Sequence, residues 1–500
     1  MILNKNSNML HASKEFHFIY IYIFLAFFLH LVSVFFSIGF YNDDEHFQIL
    51  EPTAYLLGLN EILIDKSEGY YWEWESQHRM RPWLQPYIYY YAINFLKILG
   101  INDPFSWSFF IRLFSSLVGF VSIIYLFFSF KKHFFQEDSH FNYLIFFSFW
   151  FYPFLHSRTS SANLGLILFI LSFCYLYKHI KIKKEKFNFL IYFIFSFLLG
   201  ISLVIKLNLI FTIAPIFLWV IFFRFNFYRI LLTIIGVILA LSFGLYVDFL
   251  NWGFFTNTYW QFYDVNINRG WMVAFGSNPW WYYIPAIAAE MAPILSIVFI
   301  IALIIFWIKK PLNVFTWLTL ITLIIISCFS HKEIRYAFPI YIFAPFFICY
   351  FFEKFKNFIF RKSLKVLVII SNLIFLLITL FTPANGKVAI YNFLYKNNFN
   401  NEQNHTEVFY IDENPYLINN MEPFFYTKFL PKINNYKESE INPRKNLIII
   451  TNNYYEYQLL LKEERCNKLY NSYPEKIINL NENWKNKKLN WFIVQCKKNN

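Results

Sequence analysis

Asn42-Asp43-Asp44-Glu45-His46 places three consecutive carboxylates within a few residues of the end of a long apolar run. Charge at a membrane edge is costly, so two readings compete: a general base facing a cavity, with Asp44 first and Glu45 second, or a solvated loop that ends the helix in water. Glu51-Pro52 follows in the same stretch, and further on Tyr70-Tyr71-Trp72-Glu73-Trp74-Glu75 leads to Arg79 and Arg81. Aromatic faces alternating with carboxylates suit the binding of a sugar, by stacking and by hydrogen bonds to hydroxyls. They suit an interfacial aromatic belt equally well. Arg158, in the turn His156-Ser157-Arg158-Thr159-Ser160, needs an anion, either a carboxylate of the first loop or a ligand phosphate. In Ser330-His331-Lys332-Glu333-Ile334-Arg335-Tyr336, one His, one Lys and one Arg could hold a lipid-linked phosphate, or Glu333 could neutralise its neighbours. Glu290, a turn or two into an apolar run, is expected to face the protein interior.

The elements that must position these groups follow from composition. Of 500 residues, 57% are apolar, 24% aromatic and only 15% charged. A soluble globule carries about a quarter of its residues as charges, so a soluble enzyme and a disordered chain are both excluded, leaving a polytopic membrane protein. Apolar runs long enough to span lie near 17–40, 106–130, 142–156, 161–177, 188–205, 207–223, 230–248, 284–308, 312–330, 336–352 and 366–382, about eleven in all. The first has no small-residue cleavage site and is read as a retained span.

Lys and Arg fix the orientation. With the N-terminus inside, the inner loops hold 18 basic and five acidic residues, whereas the outer face of the membrane part holds ten basic and fourteen acidic. This requires that the run 84–99 lie in the outer interface as an amphipathic helix instead of spanning. The net charge of +13 is thereby a topology signal, and nucleic-acid binding loses its support. The chain is thus expected to be a multi-pass protein of a bacterial inner membrane or an endoplasmic reticulum membrane, N-terminus cytoplasmic and C-terminus outside. All the candidate groups then fall on one outer face. They belong to the loop 41–105, the turns after 156 and 330, and the loop 249–283, which carries Asp248, Trp252, Asp264, Asn266, Asn268 and Arg269 and closes on Trp280-Trp281-Tyr282-Tyr283, read as a belt.

Residues 1–382 form the membrane domain. From 383 to 500 Asn, Lys, Glu and Tyr rise and long apolar runs vanish, which predicts a small outer α/β domain with strands at 408–411, 447–450 and 491–494 and a helix over 454–464. Cys174, Cys328 and Cys349 read as buried apolar residues of spans, and Cys466 and Cys496, in an oxidising space, are free to pair or not. Neither spacing nor composition suggests a zinc or iron–sulfur site.

The four motifs together resemble glycosyltransferase family 22, the polytopic α-mannosyltransferases of N-glycan and GPI-anchor assembly and their bacterial relatives. The resemblance rests on Asp44-Glu45-x-Phe47-x-x-x-Glu51-Pro52, Tyr70 to Trp74, Ser157-Arg158-Thr159-x-Ser161 and His331-Lys332-Glu333-x-Arg335-Tyr336, and covers about 40–385. It implies an all-α GT-C architecture whose first outer loop carries interfacial helices and a catalytic carboxylate. It implies a polyprenyl-phosphate sugar donor, typically dolichyl-phosphate-mannose, inversion at the anomeric carbon, a glycan or glycolipid acceptor, and no metal or other cofactor. By motif, Asp44 is the expected base with Glu45 the alternative. His331, Lys332, Arg335 and Arg158 meet the donor phosphate, and Glu51, Trp72, Glu73, Trp74 and Arg81 bind substrate. The sequence departs from the family at Ile205-Lys206-Leu207-Asn208, where eukaryotic members usually carry Arg-Pro-Thr. A different sugar on the same scaffold, or a transporter of lipid-linked sugars, are the alternatives.

Overall fold

The computed structural model describes residues 2–497 apart from 61–70, 76, 136–138, 181–186, 358, 398–405, 437–445, 480–483 and 485–489. Tyr70 and the basic run from Lys181 to Lys186 therefore lie outside the described residues.

Each apolar run is helical, and polar caps set where the helices begin. Asp103 accepts from the Ser106 backbone to open Pro104–Phe134, and Ser160, Asn188 and Asn226 cap Ser161–His179, Phe189–Ile205 and Phe227–Trp252 in the same way. The last two helices pack with backbones nearly touching. A methyl on Gly200 would lie 2.5 Å from the Ala240 Cβ, and one on Gly236 would lie 2.7 Å from the Ser196 Cβ. Small residues permit this approach where neither helix gains from excluding water.

Among the described residues five helices are long and apolar enough to cross a membrane, six if Ile334–Tyr341 and Ala344–Lys354, bent by 55°, count as one span. Four further apolar helices are shorter. Prolines account for two of the breaks. Pro345 opens Ala344–Lys354, and Pro293 follows Ala292, whose φ of 51° ends Tyr283–Glu290. That break puts Glu290 at a helix end, exposed, so the expectation of an inward-facing Glu290 fails. Cys328 is also exposed, at the C-cap of Thr322–Ser327, whereas Cys174 and Cys349 are buried as expected.

The run 84–99 forms the helix Leu84–Ile98. Leu84, Gln85, Tyr89 and Ile93 are buried against the protein, but the opposite face carries Ile88, Tyr91, Phe95 and Ile98. The outward face is apolar, not polar as an amphipathic pattern requires.

After Arg361–Phe381 the chain turns through Asn385, which caps Gly386–Lys396, into a five-stranded sheet. The strands are β1 (Thr406–Tyr410), β2 (Asn434–Asn435), β3 (Asn446–Thr451), β4 (Cys466–Asn471) and β5 (Phe492–Cys496), in the order β2-β1-β3-β5-β4. The first three run parallel, and β5 pairs antiparallel with β3 and β4. The helix expected over 454–464 is Tyr454–Leu460. Cys466 and Cys496, facing each other across β4 and β5, form a disulfide.

The sheet does not stand apart. Tyr391, Phe425, Tyr426 and Trp491 share one buried cluster with Phe47, Ile49, Trp83 and Trp107, so the C-terminal region packs directly onto the segment after the first helix and the start of Pro104–Phe134.

Candidate active site

The segment after the first helix begins as one continuous helical stretch: Asp43–Glu45, a five-residue π turn His46–Leu50, then Glu51–Leu56. Asn42 opens it, its side chain accepting from the Asp44 backbone at 3.0 Å. Carboxylates here sit at the positive end of the helix.

Asp44 lines a cavity of about 300 Å³. Its walls come from four segments far apart in sequence: Asp43, Asp44 and Phe47; Tyr71 to Trp74 with Arg81; Asn266, Met272 and Phe275; and His331, Glu333, Arg335 and Tyr336, closed by Asn419 and Met421. The expected outer-face residues thus largely meet. The Arg335 guanidinium is central: Nη2 donates to Asp44 Oδ2 and Nε to Glu333 Oε2. His331 Nε2 lies 3.1 Å from the other Glu333 oxygen. Arg81 donates to Glu73, and Gln48 reaches the same Glu73 oxygen at 3.3 Å. Trp72 stacks on Trp271 with centroids 4.9 Å apart and planes 11° apart, beside Phe275 at 5.8 Å.

Smaller spaces border this cavity and share wall residues such as Asp44, Arg81 and Arg335 with it. One of about 20 Å³ is lined by Asp44, Glu45, Arg158, Lys206 and Arg335. It has room for a water and not for a sugar. Glu45 Oε2 and Arg158 Nη1 are buried there without a hydrogen-bond partner among the described residues. Arg158 Nε donates to the Phe154 carbonyl at 3.1 Å. Lys206 lines this space and two neighbours, one of them reaching the apolar side chains of Leu166, Phe211, Ile326 and Phe338.

Charge sorts the titrating groups. Burial alone would raise the Asp44 carboxyl, but Arg335, Arg81 and Lys206 outweigh it and hold it at about 2. Burial lifts Glu45 to about 7 against the pull of Arg158. Burial, then the nearby Arg335 and Arg81, brings Lys206 down to about 8. At neutral pH Asp44 is therefore a carboxylate on an open cavity, while burial favours the protonated form of Glu45, which lines the smaller space and not the large one.

Two expected substrate or phosphate ligands are placed otherwise. Glu51 is fully buried outside the cavity wall, its carboxylate accepting from His46 Nε2 at 2.6 Å, Asn60 at 3.0 Å and the Phe425 backbone at 3.0 Å. The Lys332 amine turns onto the backbone carbonyls of Asn278, at 2.9 Å, and Phe329, and so pins the loop before Tyr283 to the turn that follows Ser327. Trp74 touches the cavity but is almost wholly buried, its indole donating to the Phe47 carbonyl at 3.3 Å. Sequence reasoning missed Lys206, Met272, Asn419 and Met421 as neighbours of the site. For Lys206 a signal existed, a lone cation between two apolar runs; for the others there was none.

The family described as Alg9-like mannosyltransferases matches residues 20–418. Among curated proteins, human GPI alpha-1,2-mannosyltransferase 3 is 26% identical over 166 residues, which is 32% of this chain and 28% of the human protein. Among solved structures, ArnT from Cupriavidus metallidurans bound to undecaprenyl phosphate aligns over 96% of this chain and 98% of its own, with a TM-score of 0.55 and 7% identity. Its apo state aligns over the same shares, with a TM-score of 0.53 and 8% identity. At such identity the likeness is one of fold. With the family match extending over most of its length, the chain belongs to the Alg9-like mannosyltransferase family.

Proposed function

We propose that the protein is a membrane glycosyltransferase that moves a mannosyl group, with inversion, from a polyprenyl-phosphate sugar to a hydroxyl of a glycan or glycolipid acceptor on the outer face of the membrane. The observation that carries the reading is the Asp44 carboxylate, ionised and open to a cavity of about 300 Å³, with Arg335 at its side and Lys206 and Arg158 on a smaller space that it also lines. The family match supports the mannosyl group, and the likeness to a protein that binds undecaprenyl phosphate supports the lipid carrier.

In this reading Asp44 accepts the proton of the acceptor hydroxyl as that oxygen attacks the anomeric carbon, and the lipid phosphate leaves on the opposite face. Arg335, Lys206 and Arg158 neutralise the leaving phosphate, which lowers the barrier where charge develops. A carboxylate at about 2 is a weak base. Phosphate drawing Arg335 toward itself removes the strongest restraint on Asp44, so donor binding makes the base stronger at the moment it is needed. His331 acts through Glu333 by holding it against Arg335. Glu73, Arg81 and Trp72 meet sugar. The reading assigns the work at the phosphate to Arg and Lys and proposes no resident metal or other cofactor.

The topology we propose has eleven spans with the N-terminus cytoplasmic and the sheet outside. The outward apolar face of Leu84–Ile98 supports its lying against lipid at the outer surface.

The test is transfer of radiolabelled mannose from polyprenyl-phosphate-mannose by the purified protein in lipid nanodiscs, with the product linkage read by NMR. Formation of an α-linked product from the β-linked donor is expected. Transfer with retention, or transfer from a nucleotide sugar alone, contradicts the reading.

A further inference from the structure

We propose that the tight turn at residues 418–421 of the C-terminal region is the acceptor-selecting wall of the cavity, with the Asn419 side chain recognising hydroxyls of the acceptor's terminal sugar. The proposal rests on the transferase reading above and extends it to a region that reading does not use.

The turn is built to present one side chain. Asn419 and Asn420 both take left-handed backbone, with φ of 49° and 63°, a conformation Asn tolerates better than other residues with a Cβ. The flanking Ile418 and Met421 close it by two backbone hydrogen bonds of 2.8 and 2.9 Å. It is fastened from behind on three sides. Lys387 Nζ donates to the Leu417 carbonyl at 2.5 Å, Tyr71 OH to the Glu422 carbonyl at 3.0 Å, and the Phe425 backbone to the buried Glu51 at 3.0 Å. The fully buried Glu51 carboxylate thus ties the catalytic loop to the C-terminal region and sets where the turn stands.

At the tip, Asn419 is exposed and lines the large cavity. Its Nδ2 donates to Asp43 Oδ2 at 2.6 Å, one residue from Asp44. That bond fixes the amide with its carbonyl oxygen available to a ligand hydroxyl. Trp72 and Phe275, whose rings lie 5.8 Å apart, line the same cavity. A pyranose held in it can meet an aromatic face as well as the amide. Polar groups held in fixed positions on a pocket wall are what orient a ligand. The acceptor, not the donor, is assigned to this wall for two reasons. Asn419 and Met421 line none of the spaces bordered by Lys206 and Arg158, the cations the reading above assigns to the phosphate. And the acceptor hydroxyl must reach Asp44, beside which Asn419 is anchored.

The test uses the full-length protein in nanodiscs and a pair of variants that keep the turn, since Gly takes left-handed backbone readily. Asn419→Gly deletes the amide. Asn420→Gly alters a residue outside the cavity wall. With octyl α-mannoside as acceptor probe and polyprenyl-phosphate-mannose as donor, Asn419→Gly is expected to raise the acceptor KM about tenfold with the donor KM unchanged, and Asn420→Gly to match wild type. An acceptor KM within twofold of wild type in Asn419→Gly, or a donor KM raised as much, overturns the proposal. A second readout does not depend on transfer. A diazirine derivative of octyl α-mannoside should label the peptide spanning 412–428, and unmodified octyl α-mannoside should compete the label away. Competed label found only elsewhere overturns the proposal. Label on this peptide without any transfer would refute the transferase reading and leave the sugar site standing, and transfer without such label would do the reverse.

Discussion

Replacing Glu51 with Ala separates a structural tie from a substrate contact. In the structure the Glu51 side chain is fully buried and accepts from the His46 ring and the Phe425 backbone N–H, neither of which has another hydrogen-bond acceptor among the described residues. Asn60 keeps a second acceptor, Tyr71 OH, at 3.4 Å. Glu51→Ala therefore leaves two buried donors without partners. At about 1–3 kcal/mol each, the loss is about 2–6 kcal/mol, large against the usual cost of a point change. His46 and Phe425 both donate to Oε1, so Glu51→Gln with its oxygen at that place keeps both and should lose at most about 1–3 kcal/mol, from the N–H it turns toward Asn60. Chemical denaturation in lipid nanodiscs, followed by tryptophan fluorescence, measures both. The reasoning also predicts that the damage centres on the joint between the segment after the first helix and the C-terminal region, so protease nicking of that region should rise with the loss of stability. A Glu51→Ala protein within about 1 kcal/mol of wild type that has nonetheless lost activity would refute the argument and restore Glu51 to the substrate contacts its motif suggests.

Three further outcomes are expected. Glu45 has a folded-state value of about 7 against an ordinary 4.5, so its contribution is fully present below pH 4.5 and is lost as pH rises through 7. Glu45→Gln should thus be more stable than wild type above pH 7, by at most about 3 kcal/mol, and equal to it below pH 4.5, as read from denaturation midpoints across pH. Gly119→Ala would set a methyl 2.3 Å from the His156 Cγ, on a buried ring held to His30 at 3.0 Å, and should cost about 1–3 kcal/mol in the same assay. Replacing Cys466 and Cys496 by Ser opens a link across 30 residues and should cost about 3–4 kcal/mol, with transfer at low temperature retained.

The helices were legible because hydropathy and caps speak locally. Ser160, Asn188 and Asn226 stand where the apolar runs begin, and the strands at 447–450 and 491–494 show as short apolar runs in a polar tail. The gathering of the site on one face followed from counting Lys and Arg. What escaped was phase and long-range contact. Glu51 lies seven residues after Asp44, which in a regular α-helix puts both on one face. The π turn His46–Leu50 rotates Glu51 away from the cavity and into the C-terminal region, and no pattern in its five residues announces it. The apolar run around Glu290 reads as one continuous helix in the sequence, and the break at Ala292 before Pro293 undoes its inward placement. Asn419 reaches Asp43 across 376 residues, a pairing no local signal carries.

The central claim is that Asp44 is the base. The direct measurement is transfer from polyprenyl-phosphate-mannose by wild type, Asp44→Asn and Glu45→Gln proteins of equal thermal stability. The account predicts that Asp44→Asn loses about a hundredfold or more of kcat, the usual worth of a positioned proton acceptor, while donor binding persists, and that Glu45→Gln stays within about tenfold of wild type. Transfer that survives in Asp44→Asn and disappears in Glu45→Gln would contradict it.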